Sequence, residues 1–151
     1  AERFKDARDA FFLGRGLDYA LAMEGSLKMK EISYVHSEAC AAGEMKHGPI
    51  SLIEPGVLVV GLMTQCELYK KTASNLMEVK SRGAWLLGVT NRGNDALRDD
   101  ADLVFLLPQT DKHFTSSLAV IPLQLLGYYL ACARGLDVDK PRNLAKSVTV
   151  E

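Results

Sequence analysis

An excess of charge of either sign is missing from this sequence: 18 lysines and arginines stand against 19 aspartates and glutamates, a net charge of −1 with pI near 6.4. That balance leaves no electrostatic footprint for nucleic acid or for an anionic membrane surface. A disulfide framework is missing as well. Cys40, Cys66 and Cys132 are odd in number and form no Cys-x-x-Cys pair. The expectation is a reduced, cytoplasmic protein whose thiols serve as small buried hydrophobes. The opening Ala1-Glu2-Arg3-Phe4-Lys5-Asp6 is charged and lacks the apolar stretch of a signal peptide. The longest apolar run, Leu118 to Ala133, contains Pro122 and Gln124. It falls short of a bilayer span and reads as a buried helix. Repeats and low-complexity segments are absent from the sequence.

What the sequence does have is material for one well-buried domain: 151 residues, 48% hydrophobic and 25% charged. Short apolar strands alternate with helical stretches. Strands are predicted at Ala10–Leu13, Ser33–Ala39, Val57–Met63, Ala84–Thr90 and Asp102–Pro108. Helices are predicted over Asp18–Ile32, Ala41–His47 (stopped by Gly48-Pro49), Glu67–Arg82 and Thr115–Arg134, the last interrupted or bent near Pro122. Val57-Leu-Val-Val-Gly-Leu-Met63 is continuous and apolar, as in a parallel sheet covered on both faces. The fold class is therefore α/β: a doubly wound, mostly five-stranded parallel sheet with helices on both faces, flavodoxin-like in layout. Ligands in such sheets bind beyond the carboxyl ends of the strands, which puts Gly14–Gly16, Thr64–Glu67 and Asn91–Gly93 at the candidate rim.

One stretch does not fit a purely structural reading. At 100° per residue, Glu24, Lys28 and Glu31 fall within roughly 60° of one another on the first predicted helix. Leu21, Gly25 and Ile32 flank them on one side and Leu27 on the other, while Ser26 and Lys30 point the opposite way. The charges thus sit within the face expected to be buried, which is unfavourable unless they are paired or employed. An intrahelical ion network satisfies that condition. So does a proton-transfer site built from two carboxylates and an ammonium. Periodicity leaves both open.

Three motifs go further. Glu24-Gly-Ser-Leu-Lys-Met-Lys-Glu-Ile-Ser-Tyr34, Gly43-Glu-Met-Lys-His-Gly-Pro49 and the terminal Asp137-Val-Asp-Lys-Pro-Arg-Asn-Leu-Ala-Lys-Ser-Val-Thr-Val-Glu151 occur in this order. Together they resemble the glucosamine-6-phosphate synthase family, specifically its second sugar isomerase (SIS) domain and C-terminal tail. The resemblance runs from about Phe12 to the last residue. It implies one SIS domain over residues 1–136, a catalytic tail over 137–151, and conversion of fructose 6-phosphate with glutamine-derived ammonia into glucosamine 6-phosphate. Neither cofactor nor metal is implied. By the same resemblance Lys146 would form a Schiff base with the open-chain ketone, next to Ala145 at the sugar. Glu31 would move a proton between sugar carbons 1 and 2, and Lys28 would stabilise charge on the sugar oxygens. Glu24 would orient Lys28 or a sugar hydroxyl. His47 would assist ring opening from across the subunit boundary of a homodimer. His36 and His113 are expected to be structural.

The sequence also departs from that family. It contains neither the glutaminase domain nor the first SIS domain, and Thr64-Gln65-Cys66-Glu67-Leu68 is poor in the hydroxyls a phosphate cradle needs. Gly14-Arg15-Gly16 is a weak substitute. The expectation is a piece of a larger polypeptide, not competent alone. A regulatory sugar-phosphate-binding SIS module and a stand-alone sugar-phosphate isomerase or deglycase are the competing readings, and the lysine-bearing tail argues against both.

Overall fold

The computed structural model describes residues 1–144. Five strands, β1 (Asp9–Gly14), β2 (His36–Ala41), β3 (Leu58–Met63), β4 (Trp85–Asn91) and β5 (Leu103–Leu107), form one sheet in the order β2-β1-β3-β4-β5 with every neighbouring pair parallel. Helix α1 (Leu17–Lys28) follows β1, α2 (Tyr69–Lys80) follows β3 and α3 (Thr115–Ala133) follows β5; the β2–β3 crossover carries only 3-10 turns, and the β4–β5 crossover carries no helix. The doubly wound expectation holds, and the strand order reverses between β1 and β3.

Alternation along β1 splits the core into two layers. Ala10 and Phe12 face a cluster containing Leu21, Ala22, Ala119, Leu123 and Leu130 from α1 and α3. Phe11 and Leu13 face a second cluster with Met45, Ile53, Leu76 and Val79, supplied by α2 and the 3-10 turns at 42–47 and 49–52. Both faces of β1 and β3 are covered, so their near-continuous apolar runs are explained.

Several boundaries differ from the sequence reading. The second strand begins at His36 and runs to Ala41, because Ile32 and Ser33 belong to a π turn spanning Met29–Ser33 that extends α1. The segment at 42–47 is 3-10, and Cys66–Leu68 forms a 3-10 turn ahead of α2. Helix α3 runs unbroken through Pro122, although that residue cannot donate to the carbonyl of Leu118. It is also not the buried helix expected. Thr115, Ala119, Leu123, Gly127, Leu130 and Ala131 face inward, while Phe114, Ile121, Leu125, Tyr128 and Tyr129 are exposed along the other side. By length and composition alone α3, 19 residues with mean hydropathy 1.4, could cross a membrane; here one face packs on α1 and the sheet. Of the three thiols only Cys40 is buried, and burial pushes its pKa up to about 12; Cys66 and Cys132 are exposed, against expectation.

Candidate active site

Helix α1 runs antiparallel to β1, so its first turn lies at the carboxyl ends of the strands and its last turn at their starts. The two ends do different work.

At the carboxyl end, the β1/β3 crevice is already filled by the protein itself. The Asp18 carboxylate, 1% exposed, accepts from the Thr64 backbone N–H at 2.8 Å and the Thr64 hydroxyl at 2.5 Å. Burial nonetheless raises its pKa above the usual carboxylate value. Arg15 is turned into the chain, donating from Nε and Nη2 to the Asn75 side-chain oxygen at 3.0 and 2.9 Å, and Gln65 donates to the Arg15 carbonyl at 2.6 Å. The Thr64 and Arg15 donors at this rim are thus already engaged, and a carboxylate in the first turn of α1 lies where an anion would otherwise bind. This adds to the sequence argument against a phosphate cradle: beyond the shortage of hydroxyls, the Asp18 carboxylate stands in the crevice. The Asp in the first turn of α1 is a signal readable in the sequence, but its partner 46 residues on is not.

Because the folded-state pKa of Asp18 is raised, its neutral form favours folding, and that contribution is full below the unfolded pKa near 3.8 and lost as pH rises through the folded value. The stability of the wild-type protein relative to Asp18→Asn is therefore expected to be greater at pH 4 than at pH 7. Paired denaturant midpoints across that range check it; a difference that grows with pH is the contrary result.

At the other end of α1 the charged trio assembles as the spacing suggested. Lys28 Nζ lies 2.5 Å from Glu31 Oε2 and 3.7 Å from Glu24 Oε1. The three side chains are 29%, 28% and 36% exposed in the order Lys28, Glu31, Glu24, so they are half-buried, not enclosed in the apolar face as periodicity implied. The bond to Glu31, above all, raises the Lys28 pKa. Lys28 thus remains an ammonium near neutral pH and suits charge stabilisation, not base chemistry. Glu31 sits within the π turn, a feature frequent at functional sites; Ser33 closes that turn by donating its hydroxyl to the Met29 carbonyl at 2.7 Å.

Tyr34 follows with φ 58°, a left-handed conformation uncommon for an aromatic residue. From α3 the chain returns across the strand-start end: Arg142 donates its backbone N–H to the Tyr34 hydroxyl at 2.8 Å, and its guanidinium lies 4.1 Å from the centre of the Tyr34 ring. Sequence reasoning missed this contact. Lys146 and Ala145 lie outside the described residues.

His47 is not brought to the trio. It ends the 42–47 turn, which packs on the α2 face and is tied there by the Lys46–Glu78 ion pair at 2.8 Å, whereas Glu24, Lys28 and Glu31 are on the α1/α3 face. His47 is 72% exposed and 3.9 Å from Glu44. His36, expected to be structural, is a surface residue 2.7 Å from Asp9, and His113 bonds Asp111 at the same distance in an exposed loop. Among the described residues no cluster of three or more His, Cys, Asp or Glu side chains could hold a metal. An open depression of about 680 Å³ is lined by Lys5, Arg8, Tyr34, His36 and Arg134; it borders Tyr34 without taking in the trio.

Against known families, residues 3–134 match the model of the SIS domain. The chain belongs to the SIS domain family. Within it, this SIS domain is 58% identical over all 151 residues to the glutamine–fructose-6-phosphate aminotransferase (isomerizing) of Symbiobacterium thermophilum, of which it covers 25%. Among solved structures it resembles the C-terminal domain of glucosamine-fructose-6-phosphate aminotransferase from Francisella tularensis, at 43% identity and TM-score 0.79, covering 92% of this chain and 39% of that one. It also resembles glucosamine-6-phosphate deaminase from Thermotoga maritima, at 30% identity and TM-score 0.77, covering 96% of this chain and 41% of that one. The chain thus spans about a quarter of the length of the aminotransferases it matches.

Proposed function

We propose that this chain is the second SIS domain of a glucosamine-6-phosphate synthase, residues 1–136, followed by its catalytic tail, residues 137–151. In this reading it performs the sugar chemistry of fructose 6-phosphate + glutamine → glucosamine 6-phosphate + glutamate. The observation that carries the proposal is the Glu24–Lys28–Glu31 cluster, two carboxylates around a charged lysine on a half-buried turn, in a chain similar throughout to aminotransferases of that name.

The chemistry follows from these groups. The neutral amine of Lys146 adds to the C2 ketone of the open-chain sugar, and loss of water gives a Schiff base. Ammonia displaces the lysine from C2, returning it as free amine. Glu31 takes the proton from C1, the C1 and C2 atoms share an enolamine, and the proton returns to C2, leaving a C1 aldehyde and a C2 amine. Lys28, held as an ammonium, stabilises the negative charge that develops on the sugar oxygens, with Glu24 fixing its position. Ala145 contributes backbone contact to the sugar beside the lysine. His47 serves ring opening in the partner subunit of a homodimer, since it faces away from its own trio. Phosphate recognition and ammonia come from the first SIS domain and the glutaminase domain of the same polypeptide, because the crevice of this domain is closed by Asp18.

The test is borohydride reduction of the full-length polypeptide with fructose 6-phosphate. The expected result is a sugar adduct on the tail peptide at Lys146. Formation of glucosamine 6-phosphate with no adduct at Lys146 under any trapping condition counts against the Schiff-base step. The likeness to a glucosamine-6-phosphate deaminase favours one second reading, release of ammonia from the amino sugar. Under it, glucosamine 6-phosphate is consumed and glutamine is never hydrolysed.

A further inference from the structure

We propose that Tyr34 is the positioning residue for the catalytic tail: it docks Arg142 and so sets where Lys146 can reach. The inference rests on the reading of Lys146 as the Schiff-base lysine. Three observations carry it. Tyr34 is held in a left-handed conformation at φ 58°, which an aromatic side chain adopts at a cost unless surrounding contacts hold it there. It directly follows the π turn that carries Glu31, so its backbone and that of the proton-transfer residue belong to one short rigid stretch. And it is met by a residue 108 positions further along the chain, through two different contacts: the Arg142 backbone N–H on the tyrosine hydroxyl at 2.8 Å, and the guanidinium over the ring at 4.1 Å.

The two contacts constrain different things. The hydrogen bond fixes the backbone of the tail at Arg142, and the cation–π contact fixes its rotation about that point. Lys146 follows four residues later, within about 14 Å of extended chain from the dock. Tyr34 stands three residues from Glu31, so the dock ties the chain four residues before the lysine to the stretch that bears the proton-transfer residue. Confinement of a nucleophile raises its effective concentration at the sugar carbonyl without touching the sugar. The role of Tyr34 is thus on the rate of Schiff-base formation and not on sugar affinity.

The experiment uses the full-length polypeptide carrying Tyr34→Phe, Tyr34→Leu or Arg142→Lys. Three readouts are taken: hydrogen exchange of the 137–144 peptide, the rate of borohydride-trapped adduct at Lys146, and kcat and KM for fructose 6-phosphate. Tyr34→Phe removes only the hydroxyl. Exchange at Arg142 is expected to speed up roughly threefold to tenfold, the range one hydrogen bond supports. Tyr34→Leu removes both contacts and is expected to slow trapping about 10- to 100-fold, with kcat falling in step and KM within roughly twofold of the wild type. Arg142→Lys keeps the backbone bond and loses the planar stack, so it falls between the two. A purely structural tyrosine would alter none of these ratios. Unchanged exchange in Tyr34→Phe overturns the dock. A trapped wild type whose rate Tyr34→Leu leaves unchanged overturns the positioning role and spares the lysine. An untrapped wild type with a protected Arg142 amide overturns the lysine reading, and with it the role of the dock, while leaving the contact itself standing.

Discussion

Replacing Glu31 with glutamine is expected to lower formation of glucosamine 6-phosphate by the full-length polypeptide by about 10²- to 10⁴-fold, the range a positioned general base contributes. Glutamine keeps the shape of the side chain and one acceptor for Lys28, whose Nζ lies 2.5 Å from the present carboxylate. It cannot take the proton from C1. Stability is expected to change little, by less than about 1 kcal/mol, because a pair at this exposure is worth little to the fold. Schiff-base trapping at Lys146 is expected to persist, since attack on the ketone makes no use of Glu31. The measurement is proton exchange at sugar carbon 1, followed beside trapping yield and the unfolding midpoint. Loss of exchange with retained trapping supports the division of labour between Glu31 and Lys146; exchange at the wild-type rate removes Glu31 from the chemistry.

Gly14→Ala is the largest expected effect on stability. A Cβ at this position would stand 2.3 Å from the carbonyl carbon and oxygen of Asp18 and 2.7 Å from the nitrogen of Tyr19. These are backbone atoms of the first turn of α1, and they cannot rotate away as a side-chain tip can. Relief requires that α1 move off β1, which opens the Asp18–Thr64 bonds and the contact of α1 with the sheet. The expected loss is about 3 kcal/mol, the upper part of the usual range for overpacking. For a domain of this size that corresponds to a fall in Tm of roughly 6–12 °C. Gly127→Ala on α3 is the internal comparison: its nearest neighbour is the tip of Ile32 at 3.4 Å, and alanine is the better helix former by about 0.8–1.0 kcal/mol. Calorimetry of both variants checks the contrast, and equal midpoints would contradict the steric account.

The fold was largely legible because its signals are local. Continuous apolar strands such as Val57–Met63, helical stretches between them and the stop at Gly48-Pro49 identify a doubly wound sheet without knowledge of any long-range contact. The trio was legible for the same reason: Glu24, Lys28 and Glu31 are neighbours on one helix, and i,i+3 and i,i+4 spacing survives even though a π turn replaces the last α turn. What the sequence could not reveal depends on residues far apart in it. The Asp18 carboxylate in the β1/β3 crevice needs Thr64, and the tail dock needs Arg142 against Tyr34. The burial of α3 was misjudged because hydropathy reports how apolar a helix is, not how much of it the same chain covers; Ile121, Leu125 and Tyr128 are as apolar as a core stripe and stand exposed. His47 could be placed in a motif by sequence, yet only the fold shows that its turn packs on the α2 side of the sheet, apart from the trio of its own chain.

Helix α1 joins an anchored end to the end that carries the charged trio. Asp18 is fixed against Thr64, and Lys28 stands about 15 Å further along the same rod, at 1.5 Å per residue. A tilt of only about 4° about the anchor would swing the far end by about 1 Å over that length, and a misplacement of that size can cost roughly 10²-fold in rate. In the proposed function the aim of Glu31 and Lys28 is therefore an angular property, governed by the buried Asp18–Thr64 clamp at the other end of the helix.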